Sequence, residues 1–384
     1  MNQFLVLGAG KMGAVLARDL VDSDENNQVT LADIDAGQLE RVSKLIRSKR
    51  LIPVQADIED DKRRQELFRG QDVAIGALLH RHSLLAMAES VRRGVHYVDI
   101  VGEWPVERLR FDEEARKKEI TLLSGLGVSP GISNICVGRG VSLLDKTNKA
   151  VIFAGGNPVY PRPPLSYRIV YAVESLIGLY ERKARILKDG REKEVKPLTG
   201  IESISFPPPF GDMECFYTDG LNSLIQTMAG RVEDELAQKT IRHRGHAQGI
   251  KVLRECGLFG QNPIRVGNQE VIPRQVLAAL LDREMMLKDE KDVTLLRVVV
   301  EGEKAGQPVR HVFEMVDFYD EEKGFSSMGK TTCFPASIAA QMIVSGQITA
   351  KGSRFPEEIF EGNLFQSLIN ALRDRGVTLT HRTY

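Results

Sequence analysis

Two groups of residues in this chain have the types and spacing to do chemistry. Near the start, Gly8-Ala9-Gly10-Lys11-Met12-Gly13 spaces three glycines as in a turn that cradles a pyrophosphate. Further along, Arg242-His243-Arg244-Gly245-His246 is a compact polar cluster. The planar forks of Arg242 and Arg244 suit a carboxylate. His246, with an ordinary pKa of about 6.5, suits proton transfer near neutral pH. If this segment is a strand, Arg242, Arg244 and His246 share one face; the alternative is a solvated basic face.

The glycine turn is placed by its neighbours. Phe4–Leu7 reads as a strand, and Val15, Leu16, Leu20 and Val21 recur at helical spacing after Gly13. Gly8 permits the tight turn, Gly10 lets backbone approach phosphate, and Gly13 lets helix pack on strand. The N–H groups of the following helix, with Lys11 and Met12, then face the anion. A second strand, Val29–Ala32, ends in Asp33-Ile34-Asp35. Asp33 lies where a carboxylate accepts from the adenosine ribose and repels a 2′-phosphate, which favours NAD over NADP. Alternatively, Asp33 only ends the strand and Asp35 caps the next helix. No GK[ST] closes the glycine run, which excludes a nucleotide-hydrolase loop.

The alternation continues. Helix Ala36–Lys49, strand Ile52–Val54, helix Asp61–Phe68, strand Asp72–Leu78 and helix Leu84–Arg93 are expected, then strand Val95–Ile100, helix Pro105–Lys118 and strand Ile120–Leu123. This is a Rossmann-type, doubly wound parallel sheet of six strands, an α/β fold. Ligands bind such sheets at the carboxyl ends of the strands. Asp57 sits at one such end and would accept from the adenine amine or cap a helix. Ala77, Leu78 and Leu79 leave the fourth strand on the nicotinamide side, with His80 and His82 beside them in an expected loop. Asp99 ends the fifth strand, where it would touch cofactor, bind a substrate ammonium, position water or cap the loop 101–104. Ser129, Pro130, Gly131, Ser133 and Asn134 form a strand-to-helix turn in which Asn134 can bond a carboxamide or ribose.

Composition narrows the class. The chain has 384 residues, long enough for two domains, with 52 basic and 52 acidic side chains. That balance gives no field for nucleic acid or anionic membrane. No apolar run approaches a membrane span, and the Phe4–Leu7 run is too short for a signal peptide. Cys136, Cys215, Cys256 and Cys333 are scattered. They argue against a zinc site or disulfide framework and for reduced thiols in a cytoplasm.

After Gly125 the pattern changes. Strands Ala150–Phe153, Ile201–Ser205, Thr294–Val300 and Arg310–Phe318 follow without crossover helices, as in a mostly antiparallel sheet within an α+β domain. Helices Pro335–Val344 and Pro356–Arg373 are expected to fold back on the first domain. The expected organisation is a cofactor domain over residues 1–130, a substrate-binding and dimerisation domain over 131–330, and returning helices over 331–384.

Several strings resemble lysine 6-dehydrogenases of the saccharopine dehydrogenase-like superfamily, along nearly the whole chain. They are GAGKMG with LADID, then Gly125–Ile135, Ala154–Tyr167, Met213–Leu224, Lys239–Gln248 and Phe325–Ile338. Saccharopine reductases and carboxynorspermidine dehydrogenases share this architecture, but their glycine turn usually continues GFV where this chain has Lys11-Met12. The resemblance implies NAD-dependent oxidative deamination of the lysine side-chain amine to a semialdehyde, which cyclises to piperideine-carboxylate. It also implies an amino-acid substrate and a homodimer or larger homo-oligomer. Within it, Arg242, Gly245 and His246 fit the family segment best, whereas Arg244 departs from some members. Asp219, Asn222 and Ser223 are expected to hold substrate at a helix start, unless Asp219 is an N-cap. Tyr167, Tyr171 and Glu174 follow the PRPPL turn, and Lys330 and Thr331 lie near a helix start. The alternatives are a reductase joining an amine to a carbonyl compound and a non-catalytic NAD-binding regulator.

Overall fold

A computed structural model of the chain describes residues 1–102, 105–170, 173–287 and 291–384. The chain divides into two compact units. The first holds Met1–Ser142, Asn222–Thr227 and Gly329–Thr378; the second holds Leu143–Leu221, Met228–Met328 and Leu379–Tyr384.

The first unit opens with β1 (Asn2–Leu7), α1 (Lys11–Ser23), β2 (Asn27–Asp33), α2 (Ala36–Ile46), β3 (Leu51–Gln55) and α3 (Asp61–Leu67). It continues through β4 (Val73–Gly76), α4 (His80–Arg93), β5 (His96–Asp99), α5 (Pro105–Leu109), α6 (Asp112–Lys117), β6 (Thr121–Leu123) and α7 (Ile132–Ser142). The sheet is parallel and has seven strands. Their order is β3-β2-β1-β4-β5-β6, followed by a late strand, Gly352–Arg354, beside β6. Phe4, Leu5, Val6, Val73, Ala74 and Ile75 are fully buried, as expected for central strands covered by helices on both faces. The chain winds outward through β2 and β3 and then returns to β4 on the other side of β1. That reversal opens a crevice at the carboxyl ends of β1 and β4.

Local chemistry sets the element ends. The Asp35 carboxylate accepts from the Gly37 and Gln38 N–H groups and starts α2, and Asp60 does the same for α3. Arg47, at φ +50°, stops α2 before the expected Lys49. The helix expected from Leu84 begins a turn earlier because Leu79 is its extended N-cap, so His80 and His82 are helical rather than in a loop. The run Pro105–Lys118 is two short helices, α5 and α6.

The second unit contains β7 (Lys146–Pro158), α8 (Val173–Glu181), β8 (Ala184–Lys188), β9 (Arg191–Val195), β10 (Glu202–Phe206) and β11 (Gly211–Tyr217). The four-residue α9 (Leu224–Thr227), which belongs to the first unit, interrupts this series. Then come β12 (Val232–Arg242), α10 (His246–Glu255), the hairpin β13 (Ile264–Val266) and β14 (Gln269–Val271), and α11 (Pro273–Met285). Long strands β15 (Asp292–Lys304) and β16 (Gln307–Phe318) follow. The mixed nine-stranded sheet has the main order β10-β11-β12-β7-β15-β16, ending in Leu379–Thr383, with β8 on β12 and β9 on β8. The β12–β7 pair is parallel and the other described pairs are antiparallel.

Three late helices complete the chain: α12 (Ser327–Val344), α13 (Pro356–Ile359) and α14 (Gly362–Asp374). From Gly329 onward they belong to the first unit. α12 starts eight residues before Pro335 and carries that proline inside it. Its first N–H groups are met by Asp292, which accepts from Ser327 at 2.7 Å and Met328 at 2.9 Å. Among the described residues, no helix is long and apolar enough to cross a membrane.

Candidate functional site

The glycine turn has the shape its spacing predicts. Gly8 sits at φ +99°, and a Cβ there would lie 2.6 Å from the Ala77 carbonyl oxygen. A Cβ at Gly13 would lie 1.7 Å from the Gly8 oxygen, so α1 can pack this close only without a side chain. At Gly10 a Cβ would meet nothing within 4 Å, and no side chain caps α1. Exposed Lys11 and half-buried Met12 follow. A helix start with free donors and no obstructing side chain suits a pyrophosphate.

Asp33 ties this turn to the end of β2. Its Oδ2 accepts from the Ala9 N–H at 2.5 Å and its Oδ1 from the Asp35 N–H at 2.8 Å. It is half-buried, with Ile34 exposed beside it. Asp57 is exposed and accepts from the Glu59 N–H at 2.8 Å within its own turn. Ala77, Leu78 and Leu79 leave β4 with increasing exposure. His80 lies 3.4 Å from Glu107, and His82 lies 2.9 Å from Glu59.

Asp99 is not open to the crevice. Its side chain and that of Arg108 are both 0% exposed, with Arg108 Nη1 donating to Asp99 Oδ2 at 2.6 Å. Ser83 also donates to Oδ2, while Oδ1 accepts from the Val101 and Gly125 N–H groups, each at 3.2 Å. Glu103 and Trp104, the rest of the expected loop, lie outside the described residues. The Tyr97 hydroxyl joins through Ser83 at 3.0 Å. Burial first, and then the Asp99 charge, push the Tyr97 phenol up from its ordinary range.

The turn around Pro130 and Gly131 is tightly built. Gly131, at φ +125°, would bring a Cβ within 1.9 Å of the Gly127 oxygen. Asn134 is fully buried, and its amide donates to Ser223 Oγ at 3.2 Å and Glu357 Oε2 at 3.4 Å. Glu357 also accepts from Thr227 Oγ1 at 2.7 Å. Ser223 is therefore joined to Asn134, and Asn222 stands before it at φ +49°. Burial pushes the Glu357 carboxyl up. Lys330 and Thr331 are buried in the same unit.

The second unit brings a different set together. The expected shared strand face does not form: β12 ends at Arg242, Gly245 turns the chain at φ +90°, and His246 opens α10. Arg242 and His246 still meet, through Tyr180. The Tyr180 hydroxyl lies 2.7 Å from His246 Nε2 and accepts from Arg242 Nε at 3.4 Å. His246 Nδ1 faces the Leu165 carbonyl at 2.9 Å. The Arg242 guanidinium lies 4.4 Å from the centre of the Tyr167 ring, which meets the His246 ring edge-on at 5.0 Å. His246 is fully buried. Burial, followed by the Arg242 charge, lowers its pKa to about 3.

The remaining expected residues stand apart from this cluster. Arg244 is exposed and donates to Ser203 at 2.9 Å and Asp212 at 3.1 Å. Asp219 is half-buried 3.5 Å from Arg185 Nε. Glu174 is on the surface, 2.9 Å from Arg274. Tyr171 lies outside the described residues. Burial raises the thiols of Cys136 and Cys333 well above their usual range and that of Cys215 to about 12, so these three are poor nucleophiles.

Four residues that complete these clusters were not singled out from the sequence, and three of them have no linear signal. Arg108, Tyr180 and Glu357 acquire their partners only through tertiary packing. Glu214 occupies the start of α10, accepting from the Gly245 N–H at 3.0 Å and the Ala247 N–H at 2.6 Å. The signal that could have found it is its alternation along β11 beside Arg242 in the neighbouring strand.

Comparisons with known proteins agree across the chain. Residues 4–123 match the saccharopine dehydrogenase NADP binding domain, and residues 127–377 match the saccharopine dehydrogenase C-terminal domain. A carboxyaminopropylagmatine dehydrogenase from Synechocystis sp. is 22% identical, with 94% of this chain and 93% of the relative covered. A mitochondrial alpha-aminoadipic semialdehyde synthase from Bos taurus is 20% identical over 99% of this chain, which spans only 47% of that relative. The structure of apo saccharopine dehydrogenase (L-Glu forming) from Saccharomyces cerevisiae has the same fold, with a TM-score of 0.83, full coverage of both chains and 18% identity. The chain belongs to the saccharopine dehydrogenase family.

Proposed function

We propose that this protein is a nicotinamide-dinucleotide-dependent oxidoreductase acting on an amine, and that its reaction is NAD-dependent oxidation of the lysine side-chain amine. The observation that carries the cofactor reading is the Gly8–Gly13 turn held to Asp33 through the Ala9 N–H. Gly10, Lys11 and Met12 would take the pyrophosphate at the start of α1. Asp33 retains lone pairs for ribose hydroxyls, and its charge opposes a 2′-phosphate, which favours NAD. Ile34 and Asp57 would flank the adenosine. Ala77, Leu78, Leu79, Pro130, Gly131 and Asn134 would line the other half of the cofactor site. Bound there, the cofactor supplies a hydride acceptor.

Amine oxidation also needs a deprotonated nitrogen and a grip on the rest of the substrate. Arg242 is the candidate for the substrate carboxylate, because its guanidinium is held by Tyr167 and Tyr180. His246 is neutral at physiological pH and serves by fixing Tyr180. In this reading Asn222, Ser223, Asp219 and Arg244 are secondary contacts. The relatives named as saccharopine and carboxyaminopropylagmatine dehydrogenases favour a second reading, in which the substrate is an N-substituted amine. The deciding experiment gives purified protein either cofactor with lysine, ornithine, saccharopine or carboxynorspermidine. Reduction of NAD with lysine supports the first reading. Turnover only with saccharopine or carboxynorspermidine supports the second.

A further inference from the structure

We propose that Arg108 is a positioning residue for the nicotinamide half of the cofactor site. Its buried pairing with Asp99 fixes the loops at the carboxyl ends of β4, β5 and β6. The proposal rests on the cofactor reading above. Asp33 places the adenosine on the β2 side of the crevice, so the second mononucleotide half falls on the β4–β6 side.

The network reaches every loop on that side. Arg108 Nη1 donates to Asp99 Oδ2 at 2.6 Å and to Ser124 Oγ at 2.9 Å, and Nη2 donates to Ser83 at 3.4 Å. Ser83 lies in the first turn of α4, just after Ala77–Leu79. Asp99 Oδ1 holds the Val101 and Gly125 N–H groups, and the Asp99 carbonyl accepts from the Leu126 N–H at 2.9 Å. Those bonds set the backbone on which Pro130 rests: a Cβ at Gly102 would lie 2.2 Å from Pro130 Cγ. Behind them, the Tyr97 hydroxyl would lie 2.3 Å from a Cβ at Gly76, the last residue of β4.

A buried ion pair is often no more stabilising than an apolar pair of the same size. Here the carboxylate also bonds two main-chain N–H groups in two different loops, which an apolar side chain cannot do. Arg108 is the counter-charge of this buried carboxylate. With its side chain 0% exposed, it acts through the shape of the loops.

The test is titration of the full chain with NADH and, separately, with ADP-ribose, which lacks the nicotinamide ring. In Arg108→Met, NADH affinity should fall by about tenfold or more, the scale of a misplaced binding element. ADP-ribose affinity should stay within about twofold, and Arg108→Lys should recover part of the NADH affinity. If Arg108→Met does not fold, Ser83→Ala is read in the same way, with the same preferential loss for NADH in smaller measure. Equal losses for both ligands, or no loss for either, would overturn the proposal. If the unaltered protein binds neither NADH nor ADP-ribose, the cofactor reading itself fails and the proposal falls with it.

Discussion

Among the described residues, the two largest fully buried side chains are both arginines, Arg108 and Arg242. Arg108 pairs with a carboxylate among hydroxyl groups at the ends of three parallel strands. Arg242 lies against the Tyr167 ring, the Tyr180 hydroxyl and the carbonyls of Gly156 and Ile241, where β12 gives way to α10. The first setting pairs opposite charges; the second places a guanidinium against an aromatic ring and close to an imidazole. A neutralised pair is suited to holding backbone in place. A cation beside aromatic rings is suited to an anion, and it also keeps His246 from taking up a proton.

The contrast is easiest to break at Arg108. Replacing it by Met leaves the Asp99 carboxylate buried without its counter-charge and should destabilise the protein by about 3–5 kcal/mol in denaturant unfolding. Replacing both, as Asp99→Asn with Arg108→Met, should recover much of that loss. Failure to recover would show that the charge balance is not what the first unit depends on.

Arg242→Met should be milder, about 1–3 kcal/mol, the scale of the ring contact and hydrogen bonds it removes. It should also raise the His246 pKa, since the Arg242 charge is the second cause of its depression. The check is a stability profile against pH: with Arg242 gone, the decline on acidification should be shallower. An unchanged profile would disconnect the two residues.

His246 itself gives the smallest effect near neutral pH. Its folded-state pKa of about 3 lies below the ordinary 6.5, so between those values the unfolded chain binds a proton that the folded chain refuses. Its contribution is therefore fully present above pH 6.5 and is lost as pH falls toward 3. The slope is at most about 1.4 kcal/mol per pH unit. His96, lowered by burial to about 4, acts in the same direction. His246→Gln should flatten the wild-type decline between pH 7 and 5 without removing it. An identical decline in the variant would mean that His246 is protonated when folded.

What was legible in the sequence follows the same division. The first sheet announces itself because its strands are short apolar runs bounded by glycine and acids, and the glycine turn with Asp33 is a local pattern. The seventh strand was invisible: Gly352-Ser353-Arg354 has no apolar run and is a strand only because it pairs with β6. In the second unit the apolar cores of β7 and β15 were readable, but their polar ends were not, because pairing extends both strands well beyond them. Asp99 was legible as a strand-end acid. Its partner was not, because Arg108 lies on a separate helix with no spacing signal. The cluster around Arg242 was legible as composition but not as geometry, since Gly245 alone converts an expected strand face into the start of a helix.

The proposed oxidation is read most directly from absorbance at 340 nm with purified protein, NAD and lysine, run beside Asp33→Ala. The unaltered protein should form NADH. The variant should need about tenfold more NAD, the scale of one lost charge-assisted contact, with turnover at saturating NAD little changed. No NADH from lysine, or an unchanged NAD requirement in the variant, would contradict this reading.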